Sequence, residues 1–202
     1  HPMWAMEYSR DEGLRKYWDE YSYPYHKEGA GPLYRGKDAS DYNHNQDMLA
    51  VENIRRWFDY WQERPGTGTR ISSGGVKIIF SDTNTHFRGE ENYRRSGVTD
   101  AMRIPKDAFY AHQVMWDGWV DIEQPRIHII GHWNYKEDVI KPVYVVSGAD
   151  KVELFLNGKS LGEGEREYHF LYTFKDVQFE TGKLEAIGYD ETGKECCRTE
   201  LQ

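Results

Sequence analysis

The stretch from Val76 to Lys106, VKIIFSDTNTHFRGEENYRRSGVTDAMRIPK, restricts the fold more than any other part of the chain. VKIIF is short, apolar and β-branched, the pattern of a strand buried on both faces of a parallel sheet. Polar residues follow at once: Ser81, Asp82, Asn84, His86 and Arg88 stand just past the strand's C-terminal end. Pro105 suits the first turn of a helix, and KDAFYAHQVMWDGW continues from it. Strand, polar loop and helix in this order are the repeating unit of a β/α barrel, which places its site at the C-terminal ends of its strands.

The residues before this stretch extend the same reading. HPMWAMEY, from His1 to Tyr8, predicts a short apolar strand that delivers Glu7 at its end. Ser9 and Glu12 form a capping box, SRDE, which predicts a short helix with Leu14, Tyr17, Trp18 and Tyr21 on one face. From Ser22 to Asn45 apolar periodicity is lost, and a long ordered loop is expected, with Tyr23, Tyr25, His26, Tyr34 and Tyr42 available to wall a ligand subsite. Met48, Leu49, Val51, Ile54, Trp57, Phe58 and Trp61 recur at helical spacing, so a helix runs from Asn45 or Gln46 to Arg64 and ends at Pro65–Gly66. GTGTRISSGG then reads as the return loop to the strand at Val76, closing a strand–helix–strand crossover.

Beyond the second helix, RIHIIGHWNY alternates like a strand, and from Pro142 the period is two throughout. VYVVSGADKVELFLNGKSLGEG predicts two strands and then a hairpin at Asn157–Gly158, with Val152, Leu154 and Leu156 facing inward. HFLYTFKDVQF and KLEAIGYDETGKECCRTEL supply further strands.

Several function classes are excluded or left without support. A net charge of −8 and the lack of any Lys/Arg block argue against nucleic acid as a partner. No apolar run reaches the roughly 18 residues of a membrane span, and mean hydropathy is −0.87, so no membrane partner is expected. Cys196 and Cys197 are adjacent and build neither a disulfide framework nor a spaced metal site; His86, and His128 with His132, lack further ligands, so no metal and no cofactor are expected. Aromatic residues make up 15% of the chain, more than a core of this size requires; Trp and Tyr rings suit the C–H faces of sugars, although core packing is the ordinary use of each, including Trp116 and Trp119 near the end of the second helix.

The order of these motifs resembles glycoside hydrolase family 2, the β-galactosidase and β-glucuronidase family. Arg95, Gly97, Val98, Asp100, Arg103, Pro105 and Lys106 reproduce its RxGVxDxxRxPK signature after the last barrel strand; Glu7–Tyr8 resembles the end of its nucleophile strand; His132, Trp133 and Asn134 resemble its linker trio; and VELFLNGKSLG is similar to the sandwich that follows its barrel. The resemblance implies an α/β part, residues 1–125, comprising the last strands and helices of a (β/α)8 TIM barrel, and an all-β part, residues 126–202, forming an immunoglobulin-like β-sandwich.

It also implies chemistry. Glu7 becomes the nucleophile of a retaining β-glycosidase, Asp82, Asn84, His86, Arg88 and Trp116 become substrate-binding residues, and the partners are a glycoside or oligosaccharide and the remainder of the same enzyme chain. Such enzymes use two carboxylates about 5–5.5 Å apart. The acid/base of the family is the Glu of an AsnGlu pair, which this sequence lacks, so the 202 residues alone are expected to be inactive, with general acid catalysis worth on the order of a hundredfold to ten-thousandfold missing. Relatives that cleave glucuronides carry Asn and Lys before the motif's Gly, where Arg94, Arg95 and Ser96 stand here. That departure favours a β-galactosidase-like reading, though an arginine also suits an acidic group. A non-catalytic carbohydrate-binding module is the alternative. Compartment is not readable from the residues; the resemblance is compatible with a periplasmic or secreted bacterial enzyme.

Overall fold

The computed structural model describes residues 2–8, 11–31, 33, 37–59, 71–77, 79–84 and 93–202, with backbone alone for residues 2–8, 71–76 and 119. Its contacts divide the chain into two units, residues 1–20 with 26–109 and residues 21–25 with 110–202.

In the first unit, strand β1 (Pro2–Tyr8) pairs in parallel with β4 (Ile71–Lys77), and helix α1 (Gln46–Phe58) lies between them in sequence. This is the expected strand–helix–strand crossover, with one correction. The strand begins at Ile71, so ISSGG belongs to it and not to a return loop, while Phe80 is 59% exposed instead of buried. Parallel pairing is made by backbone groups, which Ser and Gly supply as well as Val, so side-chain propensity did not mark this strand.

Helix α1 buries Leu49, Val51, Ile54 and Trp57, as their spacing predicts, and also Ala50 and the polar Gln46, Asp47, Glu52 and Asn53, so it is enclosed around most of its circumference. Its first amides are satisfied by backbone: Gln46 N–H donates to Tyr17 O at 2.8 Å and Asp47 N–H to Trp18 O at 3.0 Å. That capping explains why the expected helix after Ser9 does not form. Glu12–Gly13 is instead a two-residue strand, β2, parallel to β3 (Asn43–His44), and the carbonyls of residues 17 and 18 face the start of α1 rather than a helix of their own. At the other end Arg55 and Arg56 complement the helix dipole and pair with Glu52. Residues 60–64, with which this helix was expected to end, and Tyr34 lie outside the described residues.

Helix α2 (Asp107–Val120) follows Pro105 as expected and buries Ala108, Ala111, Val114 and Met115. Trp116 falls outside that stripe and is 63% exposed, so it is not the core residue its aromatic character suggests. The second unit continues with β5 (Ile127–Ile130), β6 (Ile140–Ser147), β7 (Lys151–Leu156), β8 (Lys159–Glu163), β9 (Glu165–Glu167), β10 (Leu171–Gln178), β11 (Leu184–Tyr189) and β12 (Glu195–Leu201). These form two four-stranded antiparallel sheets, ordered β5-β6-β10-β9 and β12-β11-β7-β8.

Both sheets contribute to one core: Val143, Val145, Tyr172 and Phe174 from the first meet Val152, Leu154, Leu184 and Ala186 from the second, with Trp133 and Phe179 at its margin. Trp133 is 4% exposed and its Nε1–H donates to Glu180 O, so the ring packs while its polar atom stays paired. Asn157 and Gly158, at φ 52° and 79°, make the β7–β8 hairpin where the AsnGly signal placed it. The edge strands β8 and β9 are exposed along their whole length. Among the described residues no helix is long and apolar enough to cross a membrane, and no group of His, Cys, Asp and Glu could hold a metal ion.

Candidate functional site

The loop after β4 is held by the segment before α2. Asp82 N–H donates to Thr99 O, Thr83 and Arg94 exchange both backbone hydrogen bonds, and Thr99 N–H donates to Phe80 O. The segments approach so closely at Gly97 that a Cβ there would lie 2.4 Å from Asp82 N and 2.5 Å from the Ser81 carbonyl carbon. Any residue but glycine would push the two backbones apart.

Lys106 fastens this arrangement. Its side chain has no exposed surface, and Nζ donates to Gly13 O at 2.6 Å, Asp82 Oδ1 at 2.9 Å and Arg95 O at 3.1 Å. Asp82 Oδ1 also accepts from Gly97 N–H. Burial pushes the Asp82 carboxyl up and the Lys106 ammonium down, and the charge each offers the other only partly opposes that. Lys77, at the end of β4, donates to Ser96 O, and burial, reinforced by Lys106 and Arg94, brings it down to about 7 against the charges of Asp11 and Asp82. A lysine at a helix start opposes the helix dipole. That misfit, together with its place at the end of the signature, marks Lys106 as a residue with a special partner.

Arg94, Arg95 and Asp100 do not brace one another as their proximity suggests. Arg95 is 6% exposed and donates to Glu12 Oε2 and Asn43 Oδ1, while Arg94 Nε donates to Ser96 Oγ. Asp100 accepts Arg15 Nε at 2.7 Å with one oxygen and the Met102 and Ile104 amides with the other. Arg95 and Asp100 thus reach Glu12, Asn43 and Arg15, far off in sequence, which local reading cannot see.

A second buried group sits behind β2 and β3. His44 hydrogen-bonds Asp11 through Nε2 at 3.1 Å and Glu28 through Nδ1. Burial alone would lower its pKa, but the two carboxylates outweigh it and raise it to about 9, so the ring is an imidazolium donating to both. Glu28 also accepts the Asn45 N–H, and His26 stacks on Tyr17 at 3.9 Å between centroids, which ties the long loop to the start of α1.

A cleft of about 590 Å³ is lined by Leu14, Arg15, Lys16 and Trp18 together with Asp82–Asn84, Tyr93 and Asp100–Met102. Its volume suits a small-molecule ligand. Of the residues expected to bind, Asp82 and Asn84 line it; Trp116 does not. His86, Arg88 and the Glu7 side chain lie outside the described residues. The Glu7 backbone is one residue before Tyr8, whose register partner across the parallel pair is Lys77. Arg15, Lys16 and Trp18 are not among the expected site residues, because the capping box at Ser9 and Glu12 predicts a helix there.

Comparison with known proteins gives a consistent set of relatives. A family described as Domain of unknown function (DUF4982) matches residues 138–197. A β-glucuronidase of Formosa agariphila is 35% identical over 93% of this chain and 18% of its own length, and a β-galactosidase of Bacteroides ovatus is 32% identical over 52% of this chain and 12% of its own. A solved β-glucuronidase of glycoside hydrolase family 2 superposes with a TM-score of 0.76 at 28% identity, over 98% of this chain and 20% of that one. The chain thus spans about a fifth or less of the length of the relatives it matches.

Proposed function

Given that the chain belongs to glycoside hydrolase family 2, we propose that it forms part of a retaining β-glycosidase, as the last strands of a catalytic TIM barrel followed by an immunoglobulin-like sandwich. The observation that carries this reading is the parallel pair β1–β4, whose register sets Tyr8 beside Lys77. Glu7 and the Asp82–Asn84 loop therefore leave the same edge of a parallel sheet, the edge at which such sheets bind ligands.

Glu7 attacks the anomeric carbon, and a carboxylic acid elsewhere in the same enzyme protonates the leaving oxygen and later activates water. Asp82 and Asn84 stand at the cleft where sugar hydroxyls need acceptors and donors. Asp82 is held in place by Lys106 and the Gly97 N–H. Arg94, Arg95 and Ser96 directly before Gly97, in place of Asn and Lys, favour a galactoside; relatives named for glucuronides and for galactosides both bear on the choice.

In the full enzyme, Glu7→Gln should lower kcat by more than roughly a thousandfold, a 2-fluoroglycoside should label Glu7, and product formed by the parent enzyme should keep its anomeric configuration. Inverted product, or a label on another residue, would refute the assignment. The alternative, a carbohydrate-binding module, draws on the exposed rings of Tyr23 and Tyr25, at 85% and 55% exposure. It requires binding without any dependence on Glu7.

A further inference from the structure

Charge in the cleft is balanced pair by pair until Lys16. Arg15 holds Asp100 at 2.7 Å and Lys106 holds Asp82 at 2.9 Å, and neither pair leaves a net charge, wherever the proton of the second one sits. Lys16 is exposed and lines the same cleft. Its Nζ lies 5.4 Å from the Tyr17 ring centroid, and it has no carboxylate partner among the described residues. An aromatic face orients an ammonium without neutralising it. Among the described residues that line the cleft, Lys16 is therefore the one charge without an opposite partner, since Asp82 is already matched by the buried Lys106 behind it, in a chain whose net charge is −8.

The two arginines that the sequence offers for an acidic group are placed otherwise. The Arg95 guanidinium is buried against Glu12 and Asn43, and Arg94 Nε is turned to Ser96; neither residue lines the cleft. The same cleft is lined by Thr83 and Asn84, which offer neutral donors and acceptors, and by Trp18 and Tyr93, which offer apolar walls. A pyranose needs both kinds of surface, and the ammonium adds selection for an anion.

We infer that Lys16 is a specificity-determining residue that holds an anionic substituent, a carboxylate or a sulfate ester, on the pyranoside bound in this cleft. The inference rests on reading the cleft as part of the sugar site. An ammonium on a flexible stem is a point charge that suits either oxyanion, so the two sources share one chemistry.

The test compares parent, Lys16→Met and Lys16→Arg forms of the full enzyme on three aryl β-glycosides: a glucuronide, a galactoside 6-sulfate and an unmodified galactoside. Lys16→Met should lose roughly ten- to hundredfold in kcat/KM, mainly through KM, on whichever anionic substrate the enzyme uses. The neutral galactoside should be unaffected, and Lys16→Arg should recover most of the loss. The glucuronide and sulfate arms identify the anion. Equal losses on neutral and anionic substrates, or no loss on either anion, would overturn the assignment. If the parent enzyme cleaves none of the three, the hydrolase reading fails; calorimetric binding of free glucuronate and galactose 6-sulfate to parent and Lys16→Met then decides Lys16 by itself, equal affinities overturning it.

Discussion

The Lys106 ammonium lies 2.9 Å from the Asp82 carboxylate and has no surface in contact with solvent. Removing one member of such a pair strands the other. Lys106→Met should cost about 3–5 kcal/mol, because the Asp82 charge loses its counter-ion and keeps only the Gly97 N–H, and the Gly13 and Arg95 carbonyls lose the ammonium as a donor. Urea unfolding measures it, and a loss under about 1 kcal/mol would show that water replaces the ammonium without penalty.

Two glycines should fail differently. At Gly97 the added methyl meets backbone at 2.4–2.7 Å on three sides, so Gly97→Ala should cost about 1–3 kcal/mol or more and displace Asp82. At Gly158 a Cβ meets nothing, but φ is 79°, so Gly158→Ala should cost only about 1 kcal/mol, from backbone strain. Comparing the two denaturation midpoints checks the order; equal losses would contradict it.

His44 should make stability depend on pH. Its pKa rises from 6.5 to about 9 on folding, so its contribution is complete below about 6.5 and is lost as pH climbs through about 9. Lys77 acts in the opposite sense. Its pKa falls from 10.5 to about 7, so its penalty is greatest below about 7 and fades toward 10.5. The difference in unfolding free energy between the parent and His44→Gln isolates the first effect: it should be larger near pH 6 than near pH 10. A difference that stays constant, or grows with pH, would rule out the clamped imidazolium.

Trp133 should anchor the second unit. Its ring packs against Phe179 and Tyr135 and is 4% exposed, so Trp133→Ala should cost about 3–5 kcal/mol. Loss of protection in amide exchange across β6, β7, β10 and β11 would confirm that one core serves both sheets; loss confined to one sheet would not.

What the sequence revealed follows from the range of the interactions involved. The hairpin at Asn157–Gly158, the inward Val152, Leu154 and Leu156, and helix α1 were all legible, because each depends on neighbours a few residues away. The segment from Glu12 to Trp18 was misread as a helix because its capping box is locally sound; its fate is set by Asn43, Arg95 and the start of α1. The cleft was half legible. Asp82 and Asn84 follow a strand and could be named, but Arg15 and Lys16 enter it only through that long-range pairing.

The exposed borders of the two sheets have a bearing on how the protein behaves at high concentration. Strands β8, β9 and β12 carry Lys159, Glu163, Glu165, Arg166, Glu167, Glu195, Arg198 and Glu200 along the borders where another strand would otherwise dock. A neighbouring molecule that tried to extend a sheet at β8, β9 or β12 would have to bring its own strand against this row of mixed charges and strip their water; the fourth border, β5, carries no such row. Three of the four sheet borders therefore carry their own barrier to fibril growth, independent of any chemistry in the cleft.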